Sequence, residues 1–276
     1  MILTSGWRWL RALRQNPVYL REKGEWGNPN PFYTKLRRYS PFFVIGAIVV
    51  GLCTASSNFS VYAGLSGGNE ELFIFYCLLC LPGMALSMLT IFGTFMAPAL
   101  TAPSISLEMD AGSWDLLRLT PQSTRSILLA KLFGGLARLR IWPVLFVLSL
   151  FQGIMITGIS FLSGAIGDSQ IGQWGILLGA TTVLRPWLEI FFAAVLGMFS
   201  STWVRSSTMA LVGSYSGIMI VKLFNNTITW AGFGSVAGFS ENSLFVSGII
   251  GPSIGYAVLI VGLLFGIALR ANRMVQ

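Results

Sequence analysis

Six long apolar stretches recur along the chain, and three of them contain no charged residue. A helix of about 20 apolar residues is long enough to cross the roughly 30 Å hydrocarbon core of a membrane. Because backbone amides find no water in that core, helices are expected there. The stretches are residues 41–62, 72–95, 139–162, 174–203, 208–224 and 248–269. The sequence therefore predicts an all-α integral membrane protein with a six-helix transmembrane domain over residues 41–270.

The composition excludes a soluble enzyme. Only 10% of the residues are charged, against roughly 25% in soluble domains. The sequence contains no histidine, which is the commonest metal ligand and proton shuttle. Cys53 lies in an apolar stretch, and Cys77 and Cys80 have the spacing of half a zinc site without a second half. We therefore predict no catalytic residue, no metal site and no bound cofactor in this chain.

The basic residues concentrate in alternate segments between the spans. Lys and Arg number 18 against 10 Asp and Glu, a net charge of +8. Eight basic residues lie within residues 1–40, five within residues 118–140, and Arg205, Arg270 and Arg273 follow. The intervening segments hold Glu70, Glu71, Asp168 and Glu241. Since positive charge marks cytoplasmic loops, we predict a multi-pass cell-membrane protein whose termini, residues 1–40 and 271–276, are cytoplasmic; nucleic acid is not an expected partner.

The amino-terminal segment is amphipathic. On a helical wheel over residues 3–15 the arginines share one face, and Trp9, Leu10 and Leu13 share the opposite one. Such a helix lies flat in the membrane interface, with its arginines among the lipid headgroups. A plain topology-setting tail is the alternative. The candidate membrane-contacting residues are Trp7, Arg8, Arg11 and Arg14.

The segment between the second and third spans contains a short isolated helix. Gly112 allows a sharp turn, Ser113 can cap a helix, and Thr120–Pro121 ends it, which predicts a helix over residues 113–119. Its circumference is mostly apolar, from Trp114, Leu116, Leu117 and Leu119. An exposed connector this apolar is expected to dock on the membrane surface or on a partner protein. The stretch that follows, to about residue 140, is expected to include a helical stem of the third span.

These residues fall into a pattern that resembles the permease subunit of ATP-binding-cassette transporters of the type-2 exporter class. The family pattern runs from Pro-Ala through a glutamate, a Gly-Ser pair and a leucine-rich turn to Thr-Pro, with a lysine in the next helix. The matching residues are Pro98, Ala99, Ala102, Glu108, Gly112, Ser113, Leu116, Leu117, Thr120, Pro121 and Lys131. The pairs Asn16-Pro17 and Arg21-Glu22 are also similar to the family. Met109 departs from it, since a basic residue often follows the glutamate.

The resemblance implies a machine of several chains. The short helix would be a coupling helix that docks on a separate ATPase subunit, which would bind ATP and Mg²⁺, and a second permease copy or homologue would complete the pathway. The chain itself has no Gly-x-x-x-x-Gly-Lys-Ser/Thr phosphate loop. The coupling residues implied are Glu108, Gly112, Ser113, Trp114, Asp115, Leu117 and Arg118. The substrate stays open, and a non-transporting membrane anchor subunit of a larger complex is the alternative function.

Two charged residues interrupt the fourth apolar stretch. Arg185 and Glu189 are four residues apart, so they share a helix face and can pair beside Pro186, which is expected to kink the span. They either line a substrate route or form a neutralised pair that fixes the kink. Lys222, near the end of the fifth span, is expected to reach the membrane interface. Residues 227–240, which are apolar and glycine-rich, predict an outer re-entrant element.

Overall fold

Helices account for every regular element in the described part of the chain. The computed structural model describes residues 11–25, 38–53, 70–114, 122–166, 169–204, 206–225 and 241–273, together with residues 35, 119 and 120. We number the helices in chain order. They are α1 Pro17–Lys23, α2 Arg38–Cys53, α3 Glu70–Thr101, α4 Pro103–Asp110, α5 Thr124–Ala137, α6 Trp142–Ile166, α7 Ser169–Ser201, α8 Ser207–Leu223 and α9 Glu241–Arg273.

Four helical segments are long and apolar enough to cross a membrane. They are Leu81–Asp110, Trp142–Leu162, Trp174–Ser201 and Ile250–Ala271. The prediction of an all-α, multi-pass membrane protein is therefore confirmed at this level. The first and fifth predicted spans correspond to the shorter apolar helices α2 and α8, so a count of six spans stays a prediction. The predicted re-entrant element at residues 227–240 lies outside the described residues.

The first span does not begin at Pro41 as predicted. Residues 38–40 are already helical, and Ser40 is a buried residue of α2. Pro41 therefore lies within the described helical segment and not at its first residue.

The predicted continuous stem of the third span is two separate helices. α5 ends at Ala137, residues 138–141 form turns, and α6 begins at Trp142. Pro143 is the second residue of α6. A proline lacks the N–H and clashes with the carbonyl four residues earlier, so it favours a new helix start over a continuous one. Because of this break, the axis of α5 need not follow the axis of α6.

α7 is the central helix of the bundle. It packs against α3, α6, α8 and α9. Its residues Ile190, Ala193, Ala194 and Val195 are completely buried. Phe192 packs against Tyr256 of α9 with ring centroids 5.4 Å apart. The helix continues through Pro186 and extends from Ser169 to Ser201, so it holds both the charged residues of the fourth stretch and a contact to α4.

α6 and α7 approach each other at two glycines. A Cβ atom added to Gly153 would lie 2.9 Å from the carbonyl oxygen of Gly179, and one added to Gly179 would lie 2.7 Å from that of Gly153. Both values are well below normal contact, so neither position accepts a side chain without a backbone shift. The helices therefore pack backbone to backbone at this crossing.

We expect Gly153→Ala to destabilise the protein by about 1–3 kcal/mol, because the added methyl group meets backbone that cannot rotate away. Gly158→Ala is the matched control in the same helix, since a Cβ there meets nothing within 4 Å. The measurement is thermal unfolding of the detergent-solubilised protein. Equal melting temperatures for the two variants would contradict the backbone contact.

Candidate functional site

One asparagine ties the start of α1 to the start of α5. Asn16 Oδ1 accepts the backbone N–H of Val18 at 2.9 Å and so caps α1. The amide nitrogen of Asn16 donates to Gln122 Oε1 and to Ser126 Oγ, both at 3.2 Å. Pro17 takes the first helical position, where its missing N–H has no cost. α1 is therefore held against a helix more than 100 residues further along the chain.

α4 is fixed to the end of α7 by hydroxyl groups. Ser201 Oγ accepts the backbone N–H groups of Ile105 at 3.2 Å and Ser106 at 2.9 Å. These N–H groups belong to the first turn of α4. Just before α4, Thr101 Oγ1 donates to the carbonyl of Ala194 at 2.8 Å. The base of α4 thus moves together with α7.

Lys131 of α5 is a fully buried charge. Its Nζ atom lies 2.7 Å from Glu108 Oε2 and 3.2 Å from Glu22 Oε1, and it donates to the carbonyl of Ser104 at 3.1 Å. The side chain of Lys131 has no exposed surface. An ammonium group has three hydrogens to donate, and three oxygens surround it. Because Glu22 lies on α1 and Glu108 on α4, Lys131 joins three helices.

Two arginines complete what we call the buried charge cluster, which consists of Arg21, Glu22, Glu108, Lys131 and Arg138. Arg21 contacts Glu108 and lies 3.4 Å from Glu22 Oε1. Arg138 Nη2 lies 3.5 Å from Glu22 Oε2, and its side chain is buried. Arg138 thus gives Glu22 a second buried cation beside Lys131.

The cluster shifts the pKa values of two of its members outside the spans. Burial raises the pKa of Glu22, but the attraction of Lys131, Arg138 and Arg21 outweighs it, and the pKa lies below the ordinary value of 4.5. For Arg21, burial lowers the pKa, and the carboxylates of Glu108 and Glu22 raise it by more. Both groups are therefore held in their charged forms.

The segment that follows α4 is an exposed tip above this cluster. Gly112 has φ of +66°, the turn that the sequence predicts. Asp110, Ala111 and Gly112 are exposed, and Leu119 is 82% exposed. Ser113 Oγ donates to the carbonyl of Glu108 at 3.4 Å, which links the turn to the cluster. We call the described residues 110–113, 119 and 120 the exposed tip.

Two of the predicted coupling residues do not face outward. Trp114 is only 6% exposed and belongs to the apolar core, because the turn at Gly112 folds the chain back and the indole gains free energy by burial. Glu108 is buried in the charge cluster. Asp115, Leu117 and Arg118 lie outside the described residues. Leu119 is a large apolar residue that is exposed in the described part of the tip.

The end of the predicted interfacial helix is described from residue 11. Leu13 is buried, whereas Arg11 and Arg14 are exposed, which is the division of faces expected from the helical wheel. Trp7 and Arg8 lie outside the described residues. Contact of this helix with a membrane stays a prediction.

A second cluster lies within the membrane helices. Glu189 of α7 lies with Oε1 3.2 Å from Arg185 Nε and with Oε2 2.9 Å from Lys222 Nζ of α8. The expected Arg185–Glu189 pair is therefore present. The expected reach of Lys222 to the interface is wrong, because its ammonium group pairs with a carboxylate inside the bundle. One cation from α7 and one from α8 therefore pair with the same carboxylate, that of Glu189.

These three residues line a cavity of about 420 Å³ between α3, α6, α7 and α8. The other walls are polar and aliphatic, including Thr90, Gln152 and Thr182. The hydroxyls of Thr90 and Thr182 donate to carbonyls of their own helices at 2.7 and 2.8 Å. The charged groups therefore dominate the electrostatic character of this cavity.

No family model, curated protein or solved structure matches this chain. Among the described side chains, no group of three or more His, Cys, Asp or Glu could hold a metal ion. The chemistry of these described residues is that of ion pairs. Ion pairs can bind a charged group, and they can link helices so that the helices move together. The site consequently has two parts, which are the exposed tip on its buried charge cluster and the charged cavity among the membrane helices.

Replacing Lys131 by methionine should destabilise the protein by about 3–5 kcal/mol, because Glu22 and Glu108 are left buried without their shared cation. Lys23→Met is the matched control. Lys23 pairs with Glu25 at 2.7 Å, but both side chains are more than a third exposed, so its loss should cost under about 1 kcal/mol. Thermal unfolding measures both, and similar losses would contradict the structural role of Lys131.

The contribution of Glu22 should depend on pH. A carboxyl group whose pKa is lowered on folding stabilises the folded state fully above its ordinary pKa of 4.5. That stabilisation is lost as the pH falls through the lower value of the folded state, where Glu22 becomes protonated. The difference in unfolding free energy between the natural chain and Glu22→Gln should therefore be constant near neutrality and shrink in acid. A difference independent of pH would contradict the ion pairing.

Proposed function

We propose that this chain is the membrane-spanning permease subunit of an ATP-binding-cassette transporter, in which a separate ATPase subunit binds ATP and Mg²⁺. The observation that carries the proposal is an exposed tip with an apolar residue, Leu119, mounted on a buried charge cluster. The cluster is built from residues of the same motifs that resemble the exporter family: Arg21, Glu22, Glu108 and Lys131. Export is the direction that this resemblance favours.

The cluster supports a mechanical role for the tip. A movement imposed on the tip reaches α4 directly, passes to α5 and α1 through Lys131, and passes to α7 through Ser201. Each link is buried, so it is screened little by solvent and resists local bending. Closure of two ATPase subunits would then displace α7, which carries the charged cavity.

The charged cavity favours transport over a passive anchoring role. A membrane anchor has no need for ionisable residues inside its bundle, and such residues are unfavourable in lipid. Arg185, Glu189 and Lys222 nevertheless line one polar cavity between four helices. A second copy or a homologue of this chain would complete the route for the substrate, as the family resemblance implies.

Leu119→Glu should abolish association with an ATPase subunit. The side chain is 82% exposed, so the change should leave the fold intact while placing a charge on an apolar contact surface. The affinity-tagged chain is purified from its native membrane, and the associated chains are identified by mass spectrometry and assayed for ATP hydrolysis. We expect at least about a tenfold loss of the ATPase subunit, which corresponds to 1.4 kcal/mol or more.

Gln15→Glu is the control, because it adds the same charge at an exposed residue near the tip, where the neighbouring Asn16 bonds Gln122, but leaves Leu119 unchanged. It should retain the ATPase subunit. If the natural chain purifies in a complex that contains no nucleotide-binding subunit, the proposed function is wrong and the anchor alternative gains support. If Leu119→Glu retains full association and stimulated ATP hydrolysis, the tip is not the docking surface.

A further inference from the structure

A second cavity, which we call the apolar cavity, lies where the helical residues 11–14 meet α5, α6 and α7. Its volume is about 470 Å³, which falls in the range of small-molecule sites. Ala137 at the end of α5 and Trp142 at the start of α6 both line it, so it lies at the break between these two helices. Leu13 and Tyr19 line its amino-terminal side. The apolar cavity and the charged cavity have no described lining residue in common.

Aromatic side chains form two walls of the apolar cavity. Trp142 and Trp187 stack with ring centroids 5.3 Å apart, and Phe133 and Phe191 pack at 5.8 Å. The indole N–H of Trp142 donates to the carbonyl of Leu136 at 2.9 Å, and that of Trp187 donates to a serine hydroxyl of α6 at 3.4 Å. Because both indole donors are used within the protein, these walls present mainly carbon to a ligand. An alkyl chain is favoured on such a surface by the hydrophobic effect.

The apolar cavity opens at the surface of the membrane bundle. Leu184 lines it and is 55% exposed. This leucine belongs to Trp174–Ser201, one of the segments long and apolar enough to cross a membrane. In a bilayer, an exposed apolar residue of such a segment contacts the lipid chains. An acyl chain can therefore pass from the bilayer into the apolar cavity without crossing water.

A cation lies at the edge of this carbon surface. Arg14 is the charged residue among the described lining. It is exposed while its neighbour Leu13 is buried, and Arg11, three residues earlier, is exposed on the same helix face. An amphipathic segment of this kind lies at the level of the lipid headgroups. A guanidinium group matches the geometry of a phosphate, and the cytoplasmic leaflet, where the basic residues are expected to place this segment, is rich in anionic lipids.

We propose that the apolar cavity binds an acyl chain of one anionic phospholipid from the surrounding membrane, while Arg14 pairs with the phosphate of its headgroup. The bound lipid joins residues 11–14 to α5, α6 and α7 at the membrane interface. Phosphatidylcholine binds more weakly, because its headgroup carries its own cation. The proposal requires only that the chain is a membrane protein, so its test is independent of the proposed transport function.

The test uses the full chain in phosphatidylcholine nanodiscs that contain a small fraction of phosphatidylglycerol with a photoreactive diazirine in its acyl chain. After irradiation and proteolysis, mass spectrometry measures the adduct yield on peptides that contain residues 133–142 and 184–191. Adducts should concentrate on these peptides. Unlabelled phosphatidylglycerol should displace the probe at a concentration about fivefold lower than phosphatidylcholine, since one basic residue contributes about that preference.

Two variants test the two parts of the site separately. Ala137→Phe should lower the adduct yield at least about tenfold, because the added ring takes up the cavity. Arg14→Gln should weaken phosphatidylglycerol binding about fivefold and remove its preference over phosphatidylcholine. The matched controls are Ala111→Phe, at an exposed alanine of the tip, and Arg38→Gln, at an exposed arginine where α2 begins. Both controls should leave the adduct yield unchanged.

The proposal is overturned if Ala137→Phe binds the probe as the natural chain does, or if phosphatidylcholine displaces the probe as readily as phosphatidylglycerol. Equal losses for Arg14→Gln and Arg38→Gln also overturn it, because they indicate attraction to the overall positive charge. The same holds if these peptides carry no adducts in the natural chain, as expected if another segment or a second copy fills the cavity. If Ala137→Phe does not elute as a folded protein, Leu184→Trp replaces it, with the same expected loss, because its exposed position accepts a larger ring that narrows the opening.

Discussion

The architecture at the end of the bundle depends on one buried ammonium group. Lys131 has no contact with solvent, so its charge is tolerable only because carboxylates from α1 and α4 and a carbonyl of Ser104 surround it. That requirement fixes three helices relative to one another. Because the base of α4 is held in place, the chain that follows α4 can turn outward at Gly112. Ion pairing, together with the hydroxyl contacts of Thr101 and Ser201, therefore holds the base of the exposed tip.

α7 connects the two parts of the candidate site. Ser201 at its end caps α4, and Glu189 lies 12 residues earlier, about 18 Å along the helix axis. Backbone packing against α6 at Gly153 and Gly179 leaves little room for α7 to tilt independently. A displacement of α7 at its contact with α4 would therefore also displace Glu189, because both residues belong to one continuous helix.

Apolar length identified the membrane helices, since four segments of the expected kind are present. It could not locate the break at residues 138–141, because the arginines, leucine and isoleucine there are compatible with a helix and Pro143 alone decides against it. The apolar circumference of residues 113–119 did not show which side chain is buried, and the structure places Trp114 in the core. The scarcity of charged residues was a signal for the buried charge cluster that the sequence analysis did not use. In a chain with 10% charged residues, Glu22, Glu108 and Lys131 each require a partner, yet sequence alone does not pair residues so far apart.

That separation along the chain has a consequence for biogenesis. Arg21 and Glu22 are made early, but Glu108 follows Arg21 by 87 residues and Lys131 follows Glu22 by 109. At ordinary rates of synthesis, about 5–20 residues per second, α1 waits several seconds before its partners exist. The ion pairs among α1, α4 and α5 can thus form only after α3 has been synthesised and placed. The amino-terminal helix α1 can therefore reach its final packing only after the helices between α1 and α5 have been correctly inserted.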